Sequence, residues 1–265
     1  MRFFKDKTAL ITGASSGLGA DFARQLAAEG CNLVLVARRL ERLQNLRHEI
    51  LSQYQVQVTV YAMDLSLPEA AEDLYEATEH RGLVIDILIN NAGFGLAGDF
   101  LDLDPERELE MLALNIVTPT RLTRHYGQHM ASRGTGHILL VASVVAFQPT
   151  PTLSTYAASK AYMQSFGEAL AYELRPRGVG VTVLSPGGVA TEFSEVAGQQ
   201  LSVVHERALM QSTEVVAAAL NGLQEGAIRV VPGLMNQVGA LASRLMPRRL
   251  APRVADWILR STIEK

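Results

Sequence analysis

At 265 residues, with a net charge of −3, 19% charged residues and one cysteine, the chain can bury a large core. The same figures exclude a nucleic-acid-binding charge field, an acidic disordered composition and an intrachain disulfide. One α/β domain over residues 1–265 accommodates this length, and no linker divides it. The opening MRFFKDKTALITG lacks a signal-peptide h-region and no run of about 18 apolar residues occurs, so a cytoplasmic protein acting on small molecules is expected. Cys31 opens an apolar run and reads as a core residue.

Thr8 to Thr12 is a short apolar strand that runs into TGASSGLG, residues 12–19, after which DFARQLAAEG reads as a helix ending at Gly30. Strand, glycine turn and helix make a grip for a dinucleotide. Gly13 permits the tight turn, Gly17 lets the backbone approach a pyrophosphate, and Gly19 allows close packing at the anion-favouring helix start. The spacing departs from G-x-G-x-x-G, and ordinary turns need glycine too, so the position between strand and helix carries the reading. Residues 32–36, NLVLV, form the next strand, which ends in Ala37, Arg38 and Arg39. At this point an acidic side chain takes the ribose 2′-hydroxyl of NAD, or an arginine the 2′-phosphate of NADP. Ala37 cannot do the first and Arg38 can do the second, which favours NADP(H) over NAD(H); the plainer reading is that both arginines begin a charged helix.

A third strand, Val56 to Tyr61, leads to Met63, Asp64 and Leu65. Asp64 is placed to meet an adenine amino group, or else it or Ser66 caps a helix starting near Pro68. Ile85 to Ile89 is a fourth strand, followed by NNAG at residues 90–93, whose small residues spare room for a cofactor or simply turn. Pro105 to Arg133 reads as one helix with Asn115 among Leu112, Leu114 and Ile116. That amide either satisfies backbone groups or holds the helix open and binds a water. His125 and His129 lack a third ligand, so a helix face is expected there and no metal site. Gly136 to Ala142 is a fifth strand ending at Ser143.

STYAASK, residues 154–160, holds the one lysine away from the termini, since the others are Lys5, Lys7 and Lys265. On a helix, Tyr156 and Lys160 share a face one turn apart. Lowering a tyrosine by about three pKa units takes roughly 4 kcal/mol. A cation about 4.5 Å away supplies on the order of 3 to 4 kcal/mol at an effective dielectric of about 20. Lys160 is therefore expected to bring Tyr156 toward neutral pH, although an isolated pair at this spacing is usually an inconsequential surface pair.

Val179 to Leu184 is a sixth strand, followed by Ser185, Pro186, Gly187 and Gly188 in what is either a cofactor-touching loop or a plain Pro-Gly turn. Residues 192–212 lack a clean period and read as a substrate lid. Phe94, Leu96, Val144, Val145, Phe147, Leu153, Phe193 and Val196 make the substrate side apolar, which suits a hydrophobic ketone, aldehyde or secondary alcohol. A seventh strand lies near Ala227 to Val231, and residues 234–262 form a helical extension. Leu234, Val238, Leu241, Ala242 and Leu245 share one helical face, and Leu250, Val254, Trp257 and Ile258 another, with Arg248, Arg249, Arg253 and Arg260 nearby. These helices either wall the cleft or pack on a subunit, or they attach to a membrane surface.

TGASSGLG, Asp64, NNAG, Asn115, Ser143, Tyr156, Lys160 and PGGVAT at residues 186–191 stand in the order and spacing of the compact short-chain dehydrogenases/reductases. The chain resembles that family over nearly its whole length. The resemblance implies a Rossmann-type doubly wound parallel sheet in the order 3-2-1-4-5-6-7 with helices on both faces. It places Gly13, Ser15, Ser16, Gly17, Leu18, Gly19, Arg38, Asp64 and Leu65 on the cofactor, with Asn91, Ala92, Gly93, Pro186, Gly187, Val189 and Thr191. Tyr156 is then the acid/base, Ser143 binds the substrate oxygen, Lys160 also binds the nicotinamide ribose, and Asn115 acts through a water. A homodimer or homotetramer is implied, with the helices around residues 105–133 and 156–175 at an interface. Ala142 stands where many members carry a serine, and Ser16 where some NADP members carry a base, so Arg38 is expected to hold the phosphate largely alone. The rival reading is a catalytically idle dinucleotide-binding sensor or scaffold, which has no use for Ser143, Tyr156 and Lys160. A sugar-nucleotide epimerase of the same superfamily needs a longer C-terminal domain than this chain has room for.

Overall fold

The computed structural model describes residues 3–193, 197 and 209–262. Its framework is a parallel sheet built from β1 (Thr8–Thr12), β2 (Asn32–Ala37), β3 (Val58–Ala62), β4 (Ile87–Asn90), β5 (Gly136–Val141), β6 (Val179–Leu184) and β7 (Arg229–Val230). The spatial order is β3-β2-β1-β4-β5-β6-β7, the Rossmann-like order expected from the sequence. The order reverses between β1 and β4, and there the carboxyl ends of the strands open a crevice.

Alternation along each strand feeds two apolar layers. Ile11, Leu33, Leu35, Ile87 and Ile89 face one side, where α1 (Gly17–Ala28), α2 (Leu40–Gln53) and α7 (Ser212–Glu225) contribute Phe22, Leu43 and Val215. Leu10, Val34, Val36 and Leu88 face the other side. There α3 (Ala70–Glu79), α5 (Thr118–Arg133) and α6 (Ser154–Leu174) contribute Leu74, Leu122 and Met163. Each such side chain stabilises the sheet by about 1.5–3 kcal/mol on burial.

Several boundaries shift for local reasons. The third strand starts at Val58, not Val56, because the Gln57 N–H is taken by the Asn32 side chain at 2.8 Å. The fourth starts at Ile87, not Ile85, because the Asp86 carboxylate accepts the Thr8 N–H at 2.9 Å in place of a ladder bond. The seventh is only two residues long.

The expected helix from Pro105 to Arg133 is interrupted. Asp104 caps α4 (Pro105–Leu112), a π-helical turn spans Ala113–Val117, and α5 resumes at Thr118. Pro119 has no N–H to offer the Asn115 carbonyl four residues back, so the α pattern cannot continue through this point. The turn projects Asn115 inward, where its amide donates to Phe94 O at 3.0 Å and Ser159 Oγ at 3.1 Å and accepts from Phe94 N at 3.2 Å. Beyond β7 the chain forms α8 (Leu234–Leu245) and α9 (Ala251–Thr262), which return over the crevice. Among the described residues no helix is long and apolar enough to cross a membrane.

Candidate active site

A cleft of about 900 Å³ runs along the carboxyl ends of β1 to β6. Its floor at one end is made by two turns that hold each other. Thr12 Oγ1 accepts the N–H groups of Asn91 and Ala92 at 3.0 Å each, while Asn91 Nδ2 donates to Thr12 O at 2.9 Å. Gly13, at φ +69°, sits where a Cβ would lie 2.8 Å from Asn91 Nδ2 and 2.9 Å from Ala92 Cα. Gly19 is packed so that a Cβ would lie 2.2 Å from Gly13 O, which seats the start of α1 against the turn. Gly13, Ser15, Ser16, Gly17 and Leu18 line the cleft, as do Asn91, Ala92 and Gly93, whereas Gly19 supports them from behind. A backbone cradle at a helix N-terminus, kept open by glycines, fits a pyrophosphate.

At the outer end Arg38 lies 3.3 Å from Glu110 Oε1 and 3.7 Å from Asp64 Oδ2. Asp64 caps no helix: it accepts from Ser66 N at 3.0 Å and Ser66 Oγ at 2.6 Å, while α3 begins at Ala70 without a side-chain cap. Burial alone would raise its carboxyl; the Ser66 bonds and Arg38 outweigh that and hold it below the ordinary aspartate value. Leu65 and Asp64 both face the cleft. Arg38 is joined at this end of the cleft by a second arginine. Arg39 also lines the cleft, bonded to Ser16 Oγ at 2.9 Å, Ser15 Oγ at 3.2 Å and Glu192 Oε2 at 3.1 Å. In the sequence Arg39 looked like the first residue of a charged helix, and nothing marked its reach back to the glycine turn.

At the inner end β5 delivers Ser143 in an extended conformation, and α6 delivers Tyr156 and Lys160 one turn apart on one face. All three are buried, Tyr156 to 6% and Lys160 to 5% exposure. Ser143 Oγ lies 3.5 Å from Pro186 O and accepts from Val145 N at 3.4 Å, and its hydroxyl stands close enough to Tyr156 to act on the phenol. Lys160 Nζ donates to Val141 O at 2.9 Å and sits 5.8 Å from the centre of the Tyr156 ring. Gly93 gives room for the neighbouring groups: a Cβ there would lie 2.7 Å from Asn115 Oδ1 and 3.4 Å from Lys160 Nζ. Ser159 continues the contact by donating to Tyr156 O at 2.7 Å.

The electrostatics differ from the simple cation-beside-phenol expectation. Burial pushes the Lys160 ammonium down to about 8, and burial pushes the Tyr156 hydroxyl up, with the Ser143 hydroxyl pulling it partly back. Desolvation thus outweighs attraction for both groups. The Lys160 head points to the β5 carbonyl, so it does not act as a nearby unscreened charge on the phenol.

Pro186, Gly187, Val189 and Thr191 line the wall after β6, held by Val144 N on Pro186 O at 3.0 Å and Met210 N on Gly188 O at 3.0 Å. Of the apolar residues expected at the substrate end, Phe94, Val144, Val145, Leu153 and Phe193 line the cleft. Leu96 packs behind Phe94, and Phe147 instead faces Arg229, 5.8 Å from its ring centre. Val196 and most of the expected lid, residues 194–196 and 198–208, lie outside the described residues. Sequence reasoning missed specific contributions from the C-terminal helices: Met235, Asn236, Gly239, Ala240 and Ser243 of α8, and Val254 and Ala255 of α9. The readable signal was the run of small residues on α8 opposite its leucines.

Elsewhere, His125 stacks on Tyr75 at 4.7 Å and His129 Nε2 meets the Tyr75 hydroxyl at 2.5 Å. Among the described residues no cluster of His, Cys, Asp and Glu could hold a metal ion. Cys31 is buried, and desolvation pushes its thiol up to about 12.

A doubly wound parallel sheet with a glycine cradle at its switch point defines a dinucleotide-binding protein. The short chain dehydrogenase family model matches residues 7–202, and the chain belongs to that family of oxidoreductases. A very-long-chain 3-oxoacyl-CoA reductase of Pyrenophora tritici-repentis is 35% identical over 236 residues, 86% of this chain and 69% of the relative. A 17-beta-hydroxysteroid dehydrogenase type 3 of Mus musculus is 30% identical over 260 residues, 96% of this chain and 84% of the relative. Among solved structures, a short-chain dehydrogenase from Sphingobium yanoikuyae in complex with NADPH superposes with a TM-score of 0.82 at 34% identity, covering 90% of this chain and 93% of that one.

Proposed function

We propose that the protein is an NADP(H)-dependent oxidoreductase that interconverts a carbonyl and a secondary alcohol on an apolar substrate. The observation that carries this reading is Tyr156, buried in the cleft together with Ser143 and Lys160, beside a wall of Phe94, Leu153 and Phe193. Arg38 and Arg39 at the outer end, with no carboxylate at Ala37, support the phosphorylated dinucleotide, as does the NADPH-bound relative. A reduced nicotinamide supplies the hydride when bound. The chain supplies position and protons. Ser143 donates a hydrogen bond to the substrate oxygen as negative charge develops there. Tyr156, kept protonated by burial, gives that oxygen its proton. Lys160, shifted to about 8, can lose and regain a proton near neutral pH and so resupply the tyrosine, with Asn115 beside it through the opening at Gly93. In the oxidative direction the same groups act in reverse. An extended lipid or steroid-like substrate suits the apolar wall and agrees with the names of the two relatives.

The cytoplasm is the proposed location and residues 1–265 the proposed single functional unit, with segment 192–212 as its lid. A homodimer or homotetramer is proposed through α4, α5 and α6, where Leu109, Val117 and Tyr162 are exposed.

The test is Tyr156→Phe in the purified protein, read by NADPH titration and by turnover on a panel of apolar ketones and alcohols. Turnover should fall by about 10²–10⁴-fold while NADPH affinity stays within about twofold. Unchanged turnover in the variant would remove Tyr156 from the mechanism. Tight NADPH binding by the wild type with no turnover on any panel member would favour the idle sensor.

A further inference from the structure

The helices α8 and α9 have two different sides. Their inner side completes the cleft with small and polar residues such as Asn236, Gly239 and Ser243. On the outer side of α8, Leu234, Val238, Leu241 and Leu245 recur at intervals of three and four residues, and all four are exposed. Leu250 and Trp257 extend this apolar area onto the connection and α9, with Trp257 73% exposed. Met235 belongs to both sides: it is 81% exposed and it lines the cleft. The apolar face is therefore continuous with the cleft mouth.

Charge decides what covers it. Arg248, Arg249 and Arg253 are exposed, and Arg253 stands one helical turn before Trp257. Among the described residues no carboxylate pairs with any of the three, and Asp256, the sole acidic residue from 226 to 262, is already engaged. A second copy docked on this face about a twofold axis would bring the arginine cluster toward its own symmetry mate with no opposing acid. An anionic bilayer presents the complementary surface: phosphates for the arginines, acyl chains for the leucines, and an interface for the indole.

We propose that the outer face of α8 and α9 docks the protein on an anionic phospholipid surface, with the cleft mouth at Met235 opening toward the bilayer. The docking is peripheral and rests on this face alone, whatever substrate the cleft takes.

The chain has one tryptophan, Trp257, so its fluorescence reports this face directly. The full-length protein is mixed with vesicles of phosphatidylcholine, with and without phosphatidylglycerol, sedimented, and read by tryptophan emission. The expected result is salt-sensitive co-sedimentation with the anionic vesicles, a blue shift of Trp257 emission, and quenching by brominated acyl chains. With each arginine near the surface worth about a fivefold change in partitioning, the variant R248Q/R249Q/R253Q should partition about 100-fold more weakly. Leu241→Glu places a charge on an apolar position that is 62% exposed and should abolish the blue shift. Circular dichroism and NADPH titration check that both variants are folded. Absence of binding to anionic vesicles by the folded wild type would overturn the proposal, as would equal binding to pure phosphatidylcholine. A blue shift that depends on protein concentration without lipid would assign the face to a second copy and overturn it as well.

Discussion

Glu192→Gln should tighten NADPH binding and leave NADH binding nearly unchanged. Glu192 reaches from the segment after β6 across the outer cleft, where Oε2 lies 3.1 Å from Arg39 Nη1 and Oε1 lies 2.5 Å from Arg42 Nη1. Bonds from Arg42 and Arg39 hold its carboxyl below the ordinary glutamate value, so it is anionic at any pH suited to the assay. Under the NADP(H) reading, the 2′-phosphate arrives where Arg39 already holds this carboxylate, and the two anions compete. All three side chains are between 42% and 46% exposed, so solvent screens each pair to about 0.2–1 kcal/mol. Two such pairs give a competition of about 1 kcal/mol, or about a fivefold gain in NADPH affinity when the charge is removed. NADH lacks the phosphate and should change by less than about twofold. Fluorescence titration of both nucleotides measures this without turnover, and raising the salt should shrink the NADPH gain. If both nucleotides tighten equally, Glu192 repels the pyrophosphate they share. If neither changes, the phosphate does not meet Arg39, and the reading of this corner fails.

The buried amide and the buried lysine each give a stability prediction. Asn115→Leu leaves the Phe94 N–H and C=O without their partners, at about 1–3 kcal/mol for each buried group, and thermal unfolding should show a Tm lower by about 5–10 °C. An unchanged Tm would mean that water replaces the amide at no cost. Lys160 has a folded-state value near 8, below its ordinary 10.5, so between the two the unfolded chain holds more protons and stability rises with pH. Below pH 8 the burial cost is present in full. Tyr156 is shifted upward and acts in the opposite sense only above about pH 10, so the clean window is pH 8 to 9.5. Across it, urea unfolding of the cofactor-free protein should show a gain of about 1 to 2 kcal/mol that Lys160→Met lacks. Parallel profiles for the two proteins would show that Lys160 is not desolvated.

The sheet was legible because it is built from continuous apolar runs such as NLVLV and GHILLV, each bounded by a glycine or a polar turn. The glycine turn was legible for a similar reason: at Gly13 and Gly19 any Cβ meets backbone within 3 Å, so the requirement is written in the residue type. The break in the long helix was harder, because a helical period continues through Asn115 and only Pro119 hints that the hydrogen-bond ladder fails. The C-terminal helices were readable as amphipathic, but which side faced the cleft was not. The small residues Gly239, Ala240 and Ser243 line the cleft, while the leucines, the usual mark of a buried face, point outward.

The Tyr156–Lys160 pair shows where local spacing stops being informative. A four-residue step fixes the two side chains on one face, and on an exposed helix the cation would favour the phenolate. Here α6 lies against β5 and the π-helical turn, and both head groups are cut off from water. Removing solvent raises the cost of the charged form of each residue, and it moves a lysine and a tyrosine in opposite directions: the amine toward losing its proton, the phenol toward keeping it. The sequence shows the spacing but not the desolvation, which arises from residues more than forty positions away, including Asn115 and Phe94. The consequence is chemical. A tyrosine held protonated beside a lysine near 8 is ready to donate, and any group that brings polarity into the cleft beside them lowers the desolvation cost of both charges together. A polar group seated beside them therefore moves the pair toward an ammonium beside a phenolate, which under the proposed function is the state left once Tyr156 has given up its proton.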